Sequence, residues 1–418
     1  MKETTTRMAL RARLVFPIAS PPIDGGVITI DDGRIVAVGE NASPRPAVDL
    51  GDVALLPGLV NPHAHLEFSD LHAPLGMPGM PFPQWVEAVV DQRRREVDQQ
   101  QGPLSAARRP VAVQRGLRES LQAGVTAVGN ITTRDVTDSM LPTHGPHCFE
   151  FRELLGLSEE RIAEQLELAR ADLARPASNE VARGLSPHAP YTTAPELVQR
   201  AVTLARKHQL NLAMHLAESP EELRLLSRGD GPFRDVLQRL GAWNPTVFPG
   251  NRQPGNYLRM LAAAPRALII HGNFLGPEDW AVLSRHRRSM FVVYCPRTHH
   301  YFRYPPYPLG RILHAGARVV LGTDGKASNP DLEGFKELQF AGGRHPDVSA
   351  RALLRMMTLD AADALGWAKR MGSLEPGKNA DLIMVKLGRV PTGSADPHAT
   401  LLDEETQVCG VYLGGIRQ

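Results

Sequence analysis

Short apolar runs separated by turn formers open the chain. Gly26-Val27-Ile28-Thr29-Ile30 and Arg34-Ile35-Val36-Ala37-Val38-Gly39 are β-branched stretches joined by Asp31-Asp32-Gly33. That arrangement predicts a hairpin. The same patterning returns near the C-terminus in Asp381-Leu382-Ile383-Met384-Val385 and Gln407-Val408-Cys409-Gly410-Val411-Tyr412. The two ends are therefore expected to build one small β-sandwich module from residues 1–55 and 373–418. Between them the pattern changes. Apolar runs alternate with helical segments, as in a parallel sheet with crossover helices. The first run starts at Leu56. The others are Val125 to Asn130, His147 to Phe151, Val181 to His188, Leu210 to His215, Ala267 to His271, Met290 to Tyr294 and Ala317 to Asp324. Eight such units predict an α/β fold with a (β/α)8 TIM barrel over residues 56–372, whose active site lies at the C-terminal ends of the strands.

Helix starts are legible in places. Ser158 is the expected N-cap of a helix running to Arg175, with Arg161 leaving its capping box incomplete, whereas Ser219-Pro220-Glu221-Glu222 predicts a complete box. Two stretches fit no barrel connection. Residues 229–265 are rich in Gly, Pro and Asn, and 296–309 carry the aromatic cluster 299–307. Long connections in a compact domain are usually functional, so both are candidates for a lid or pocket wall.

Polar residues recur where the apolar runs end. The first run, Leu56-Pro57-Gly58-Leu59-Val60-Asn61-Pro62-His63-Ala64-His65, closes on two histidines spaced i, i+2. Alternate residues of a strand share a face, so these imidazoles can converge as transition-metal ligands. His215 closes the fifth run with Glu218 three residues later, His271 closes the sixth, and Thr323-Asp324 closes the eighth. Each alone has a structural explanation; together, on separate strands sharing one rim, they describe a site.

Composition narrows the reading. Net charge is +2 and the arginines are scattered, which excludes a nucleic-acid footprint. No segment reaches the ~20 apolar residues of a membrane span. The basic N-terminus before Leu14-Val15-Phe16-Pro17 is broken by proline and reads as a strand, not a leader. Three separated cysteines, Cys148, Cys295 and Cys409, point to a reducing, cytoplasmic compartment. A homo-oligomer is left open.

The motifs Pro57-Gly58-Leu59-Val60-Asn61-Pro62-His63-Ala64-His65, Ser186-Pro187-His188-Ala189-Pro190-Tyr191, His215-Leu216-Ala217-Glu218, His271-Gly272, Gly322-Thr323-Asp324 and the closing Gly372-Ser373-Leu374-Glu375-Pro376-Gly377-Lys378-Asn379-Ala380-Asp381-Leu382 together resemble the amidohydrolase superfamily. The likeness is strongest to its deaminases and chlorohydrolases of nitrogen-rich heterocycles. The resemblance implies that His63, His65, His215 and Asp324 hold one divalent metal, Zn²⁺ or alternatively Fe²⁺, that activates a water. It further implies that Asp324 takes the water's proton, Glu218 protonates a ring nitrogen, His271 hydrogen-bonds the attacking oxygen and His188 contacts substrate. Some members bridge two metals with a lysine of the fourth strand. This chain has no lysine between Lys2 and Lys207, so a mononuclear site is expected. Glu150 or Glu153 could in principle bridge a second metal, but a structural role is the favoured reading for both.

Departures bear on substrate. Relatives of that branch usually carry serine after the metal-binding aspartate, whereas Gly325-Lys326 stands here. Pro81-Phe82-Pro83-Gln84-Trp85 lacks the carboxylate that nucleoside deaminases of the branch often place there for ribose, and leaves Trp85 as a candidate contact. Cys295-Pro296-Arg297-Thr298 and Glu150-Phe151-Arg152-Glu153 are similar to aminodeoxyfutalosine deaminases, whose substrate bears a benzoate. Arg297, Arg303 or Arg152 could pair with such a carboxylate; the competing reading is that they form intramolecular ion pairs. The leading expectation is deamination of an aminated heterocycle, including adenine-type nucleosides. The alternatives are hydrolysis of a cyclic amide, displacement of chloride or alkylamine from a similar ring, and a catalytically silent binding barrel.

Overall fold

The computed structural model describes residues 7–42, 46–98, 108–133, 145–175, 181–388 and 396–418. Eight parallel strands form one sheet in chain order: β1 (Leu59–Ala64), β2 (Val125–Thr132), β3 (His147–Leu154), β4 (Val181–Pro187), β5 (Asn211–Leu216), β6 (Arg266–His271), β7 (Met290–Tyr294) and β8 (Val319–Leu321). The seam between β8 and β1 is closed by side chains and loop backbone. Asn61 Nδ2 donates to Thr323 Oγ1 at 2.7 Å, its Oδ1 accepts from Thr323 N at 3.2 Å, and Asp324 N donates to the His63 carbonyl at 3.1 Å. The closure of the barrel and the placement of two site residues are therefore one event.

Alternation along the strands divides the core in two. Val60, Ala127, Phe149, Phe151, Ala213, Leu268, Ile270, Phe291, Val293 and Val320 fill the barrel interior. Their neighbours, such as Val128, Cys148, Leu185, Leu212, Met214, Ile269 and Val292, pack outward against the helices. Truncating a residue as buried as Phe151 costs about 3–5 kcal/mol by transfer and cavity terms.

The chain ends build two further sheets, the first from N-terminal strands alone and the second from both ends. One joins Met8–Arg11, Val27–Asp31, Arg34–Gly39 and Val48–Asp49. The other joins Leu14–Val15, Ile23–Asp24 and Val53–Pro57 to Leu382–Lys386, Gln407–Leu413 and Ile416–Arg417. The hairpin at Asp31-Asp32-Gly33 is present, with φ +46° at Asp32 and +69° at Gly33, the two positive values a tight hairpin turn requires.

The apolar run that reads as a single strand is two. Val53–Pro57 pairs with Leu382–Lys386, and only from Leu59 does the chain enter the barrel. At the break Gly58 allows Thr126 of β2 to pack close, since a Cβ there would lie 2.0 Å from Thr126 Oγ1. The helix Glu159–Ala174 carries the expected Ser158 cap. At Pro220–Arg228, Ser219 Oγ accepts from Glu222 N at 3.2 Å, but the Glu222 carboxylate bonds the N–H groups of Ala217 and Glu218 and not that of Ser219. The predicted capping box is thus half made.

Neither long connection is structureless. Residues 229–265 contain the helices Pro232–Arg239 and Pro254–Leu261, and 296–309 begins with Pro296–Tyr301. Among the described residues no helix is long and apolar enough to cross a membrane.

Candidate metal centre and active site

The rim of the barrel gathers side chains from β1, β5, β6 and the turn after β8. His63 Nε2 lies 3.3 Å and His65 Nε2 3.9 Å from Asp324 Oδ1, while His65 Nε2 faces His215 Nε2 at 3.2 Å. Two overlapping triplets, His63–His65–Asp324 and His63–His215–His271, each bring their donor atoms within 4.8 Å of one another. Three rim residues without glycine's freedom adopt left-handed backbone: Ala217 at φ +54°, His271 at +64° and Asp324 at +62°. Such strain persists only where surrounding bonds hold it, and here it turns strand ends towards one point.

Electrostatics favour cation binding. Burial holds His63, His65, His215 and His271 well below the usual histidine range, reinforced by their mutual proximity, with His215 near 4. The imidazoles are therefore neutral and their lone pairs available. Burial pushes the Asp324 carboxyl up, but His271, His65 and the hydrogen bond from Ser328 Oγ at 2.7 Å outweigh it and hold it below the carboxylate norm. Ser328 thus supplies a hydroxyl that the sequence lacks immediately after Asp324. His215 Nδ1 bonds the His188 carbonyl at 3.0 Å, which leaves Nε2 directed into the cluster. Both ring nitrogens of His63 and Nδ1 of His65 are buried without a hydrogen-bond partner among the described residues. Orphaned neutral imidazoles beside an ionised carboxylate are a donor set suited to a divalent transition metal, and a poor arrangement without one.

Beside this cluster sit two proton-carrying groups. Glu218 Oε1 lies 3.3 Å from His271 Nε2. Burial, then the charges of Asp324 and Glu222, push the Glu218 carboxyl well up, which favours its protonated form. His271 is fixed from behind by Tyr307, whose hydroxyl donates to the His271 carbonyl at 3.2 Å.

These groups open onto a cavity of about 130 Å³. His188 lines it, with Nδ1 2.6 Å from Thr192 Oγ1, and burial lowers its pKa to about 3. Trp85 lines it too, its indole N–H committed to the Ala327 carbonyl at 3.1 Å. Along the helix Phe82–Asp98, Trp85, Val86, Val89, Val90 and Arg93 face the cavity at one-face helical spacing.

The three arginine candidates are not brought to it. Arg297 is taken up by Glu337 and Asp331, both at 2.6 Å. Arg152 pairs with Asp172 at 2.9 Å, because strand alternation turns it away when Glu153 faces inward. Arg303 is exposed and packs against Gly79. The aromatic cluster 299–307 mostly lines a separate cavity of about 590 Å³ bounded by Phe340, Arg344 and His345.

Residues 54–416 match the Amidohydrolase family. The chain belongs to the amidohydrolase family. Among curated relatives, it is 29% identical over 394 residues to a 5-methylthioadenosine/S-adenosylhomocysteine deaminase of Moorella thermoacetica, covering 89% of this chain and 84% of that one. It is 28% identical over 348 residues to an aminodeoxyfutalosine deaminase of Deinococcus radiodurans, covering 77% and 79%. A solved structure of Helicobacter pylori aminofutalosine deaminase with methylthio-coformycin superposes with a TM-score of 0.82 at 25% identity, over 98% of this chain and 100% of that one. This amidohydrolase is thus a hydrolase of carbon–nitrogen bonds other than peptide bonds.

Two features of the amidohydrolase cavity escaped the sequence reading. Glu153 lines it, although the sequence suggests a structural role. Its parity with the inward-facing Phe149 and Phe151 was the available signal. Arg93 also lines it and pairs with Glu67 at 2.5 Å, a contact between a helix and the loop after β1 that no local pattern reveals.

Proposed function

We propose that this amidohydrolase deaminates an adenine-type nucleoside, with His63, His65, His215 and Asp324 holding one divalent ion, Zn²⁺ or less favourably Fe²⁺. The observation that carries the reading is the orphaned, neutral imidazole cluster against ionised Asp324, with Glu218, its carboxyl pushed well up by burial, 3.3 Å from His271. The three-imidazole, one-carboxylate set suits zinc, and the ion would supply Lewis acidity that makes water nucleophilic near neutral pH.

The chain's own groups supply the proton traffic. Glu218 donates a proton to the ring nitrogen beside the amino-bearing carbon, which makes that carbon electrophilic. Asp324, ionised, accepts a proton from the attacking water. Neutral His271 hydrogen-bonds the incoming oxygen as charge develops on it. The carbon–oxygen bond forms, the carbon–nitrogen bond breaks, and ammonia leaves with the protons passed through these two carboxyl groups. His188 and the face of Trp85 bound the heterocycle.

The wall formed by Phe68, Phe82, Trp85, Val86, Val89 and Val90 supports an apolar or aryl substituent on the nucleoside. The names of the deaminase relatives, which act on thioether and futalosine-type adenine nucleosides, agree with that wall. The test is metal content per chain with an ammonia-release panel of adenine nucleosides, aminopurines and aminopterins. About one ion with ammonia from an adenine nucleoside is expected. One ion with chloride, alkylamine or ring-opened amide as the only product would replace the deaminase reading. No ion would overturn it.

A further inference from the structure

Glu153 is a buried carboxylate that the protein leaves unsatisfied. It ends the inward row of Phe149 and Phe151, is 3% exposed and lines the active-site cavity. Its nearest basic groups are the neutral imidazole of His188, with Nε2 3.8 Å from Oε1, and the guanidinium of Arg93, with Nη1 3.8 Å from Oε2. Neither is within hydrogen-bond reach. Among the described residues nothing donates a hydrogen bond to this carboxylate. The other buried carboxylates nearby are treated differently. Glu150 accepts two bonds from Asn130 Nδ2 at 3.1 Å, and Glu222 accepts two backbone N–H groups. Burial pushes the Glu153 carboxyl up, against the pull of Arg93, and a buried carboxyl left without hydrogen-bond partners is costly. A cavity-lining carboxyl to which the described residues donate nothing calls for donors from whatever enters the cavity.

Position says which part of a substrate brings them. The His188 ring lies between Glu153 and the metal cluster, its centroid 4.9 Å from that of His215. Glu153 is thus one side chain further from the metal cluster than His188, so a heterocycle whose amino-bearing carbon meets that cluster would turn a ring substituent, and not the departing amino group, towards it. Its carboxylate is of the wrong sign for an anionic substituent, and a vicinal diol offers one hydroxyl to each oxygen.

Building on the nucleoside reading above, we infer that Glu153 is a specificity-determining residue that accepts hydrogen bonds from the two hydroxyls of a ribose, so that the substrate is a ribonucleoside and not a free base. Arg93, itself anchored by Glu67, balances the carboxylate's charge at a distance that leaves its acceptor sites open.

The test compares an adenine ribonucleoside with its 2′,3′-dideoxy analogue in the metal-loaded protein and in Glu153→Ala. The native protein is expected to prefer the ribonucleoside by about 10²-fold or more in kcat/KM, since a site built to bond a hydroxyl strongly rejects the analogue lacking it. In Glu153→Ala that preference should collapse to a few-fold. A preference retained in the variant, or absent from the native protein while ammonia is still released, overturns the inference and leaves the deaminase reading standing. Where no aminated compound yields ammonia, that reading fails by itself, and calorimetric binding of purine riboside against purine to native protein and Glu153→Gln decides the present point. Riboside-selective binding that the variant loses supports it. Equal affinity for the two, or binding of neither, overturns it.

Discussion

The Glu222 carboxylate accepts a hydrogen bond from the backbone N–H of Glu218 at 2.9 Å, and its second oxygen accepts from Ala217 N at 2.8 Å. Glu222 is fully buried, and the backbone it grips includes the left-handed Ala217 between His215 and Glu218. One side chain therefore holds the strained turn that separates His215 from Glu218. Glu222→Gln, which keeps the shape but can accept only one of these bonds, should lower kcat by about tenfold to 10²-fold through misplacement of Glu218. KM should stay within about twofold and metal content near one per chain. Steady-state kinetics with metal analysis checks this, and a purely structural role would instead lower stability with kcat per folded molecule unchanged.

Glu218→Gln should abolish turnover, with a loss of about 10²–10⁴-fold, because the amide cannot pass a proton to the ring nitrogen. Bound metal should remain near one per chain. Loss of the ion from this variant would make Glu218 a ligand and not a proton carrier.

His63 stands at the centre of both donor triplets and is fully buried. His63→Ala should strip the metal and remove the stabilisation that a bound ion gives the folded state. Elemental analysis and thermal unfolding with and without chelator report both effects. Chelation should lower the melting temperature of the native protein and leave that of the variant unmoved.

Arg297 tests the opposite kind of role. Its guanidinium pairs with Asp331 and with Glu337, a carboxylate wholly buried. Arg297→Ala would leave that charge uncompensated and should cost about 3–5 kcal/mol of stability by chemical denaturation. KM of the fraction that remains folded should be unchanged. A rise in KM for carboxylate-bearing substrates alone would return Arg297 to the substrate contacts.

Glu150 carries a pH dependence. Burial raises its carboxyl from 4.5 to about 7, against the hydrogen bonds from Cys148 and Asn130. The folded state thus prefers the protonated form more than the unfolded chain does. Its contribution to stability is full below pH 4.5 and is lost as pH rises through about 7. The difference corresponds to about 3 kcal/mol at most, as an order of magnitude. Glu150→Gln should flatten stability against pH across that window, as urea titrations from pH 4 to about 8 would register.

The alternation of apolar runs and helices was enough to predict the barrel, because burial on both faces of a parallel strand imposes continuous apolar runs that any reader of the chain can see. The rim residues His63, His65, His215, Glu218, His271 and Asp324 were legible for a related reason: each ends such a run, and strand ends share one rim. What the sequence could not determine is direction and partnership across distance. Arg152 and Glu153 are adjacent in the chain, yet strand parity sends one to Asp172 and the other to the cavity. Arg297 looked available until Glu337, 40 residues away, took it. The first apolar run divides at Gly58 because its halves pair with different sheets, Val53–Pro57 with Leu382–Lys386 and Leu59–Ala64 with Val125–Thr132. Local pattern fixes which elements form, since periodicity is a property of neighbours in sequence. Which charges remain free to meet a substrate depends on desolvation and on partners tens or hundreds of residues away, and that only the folded chain decides.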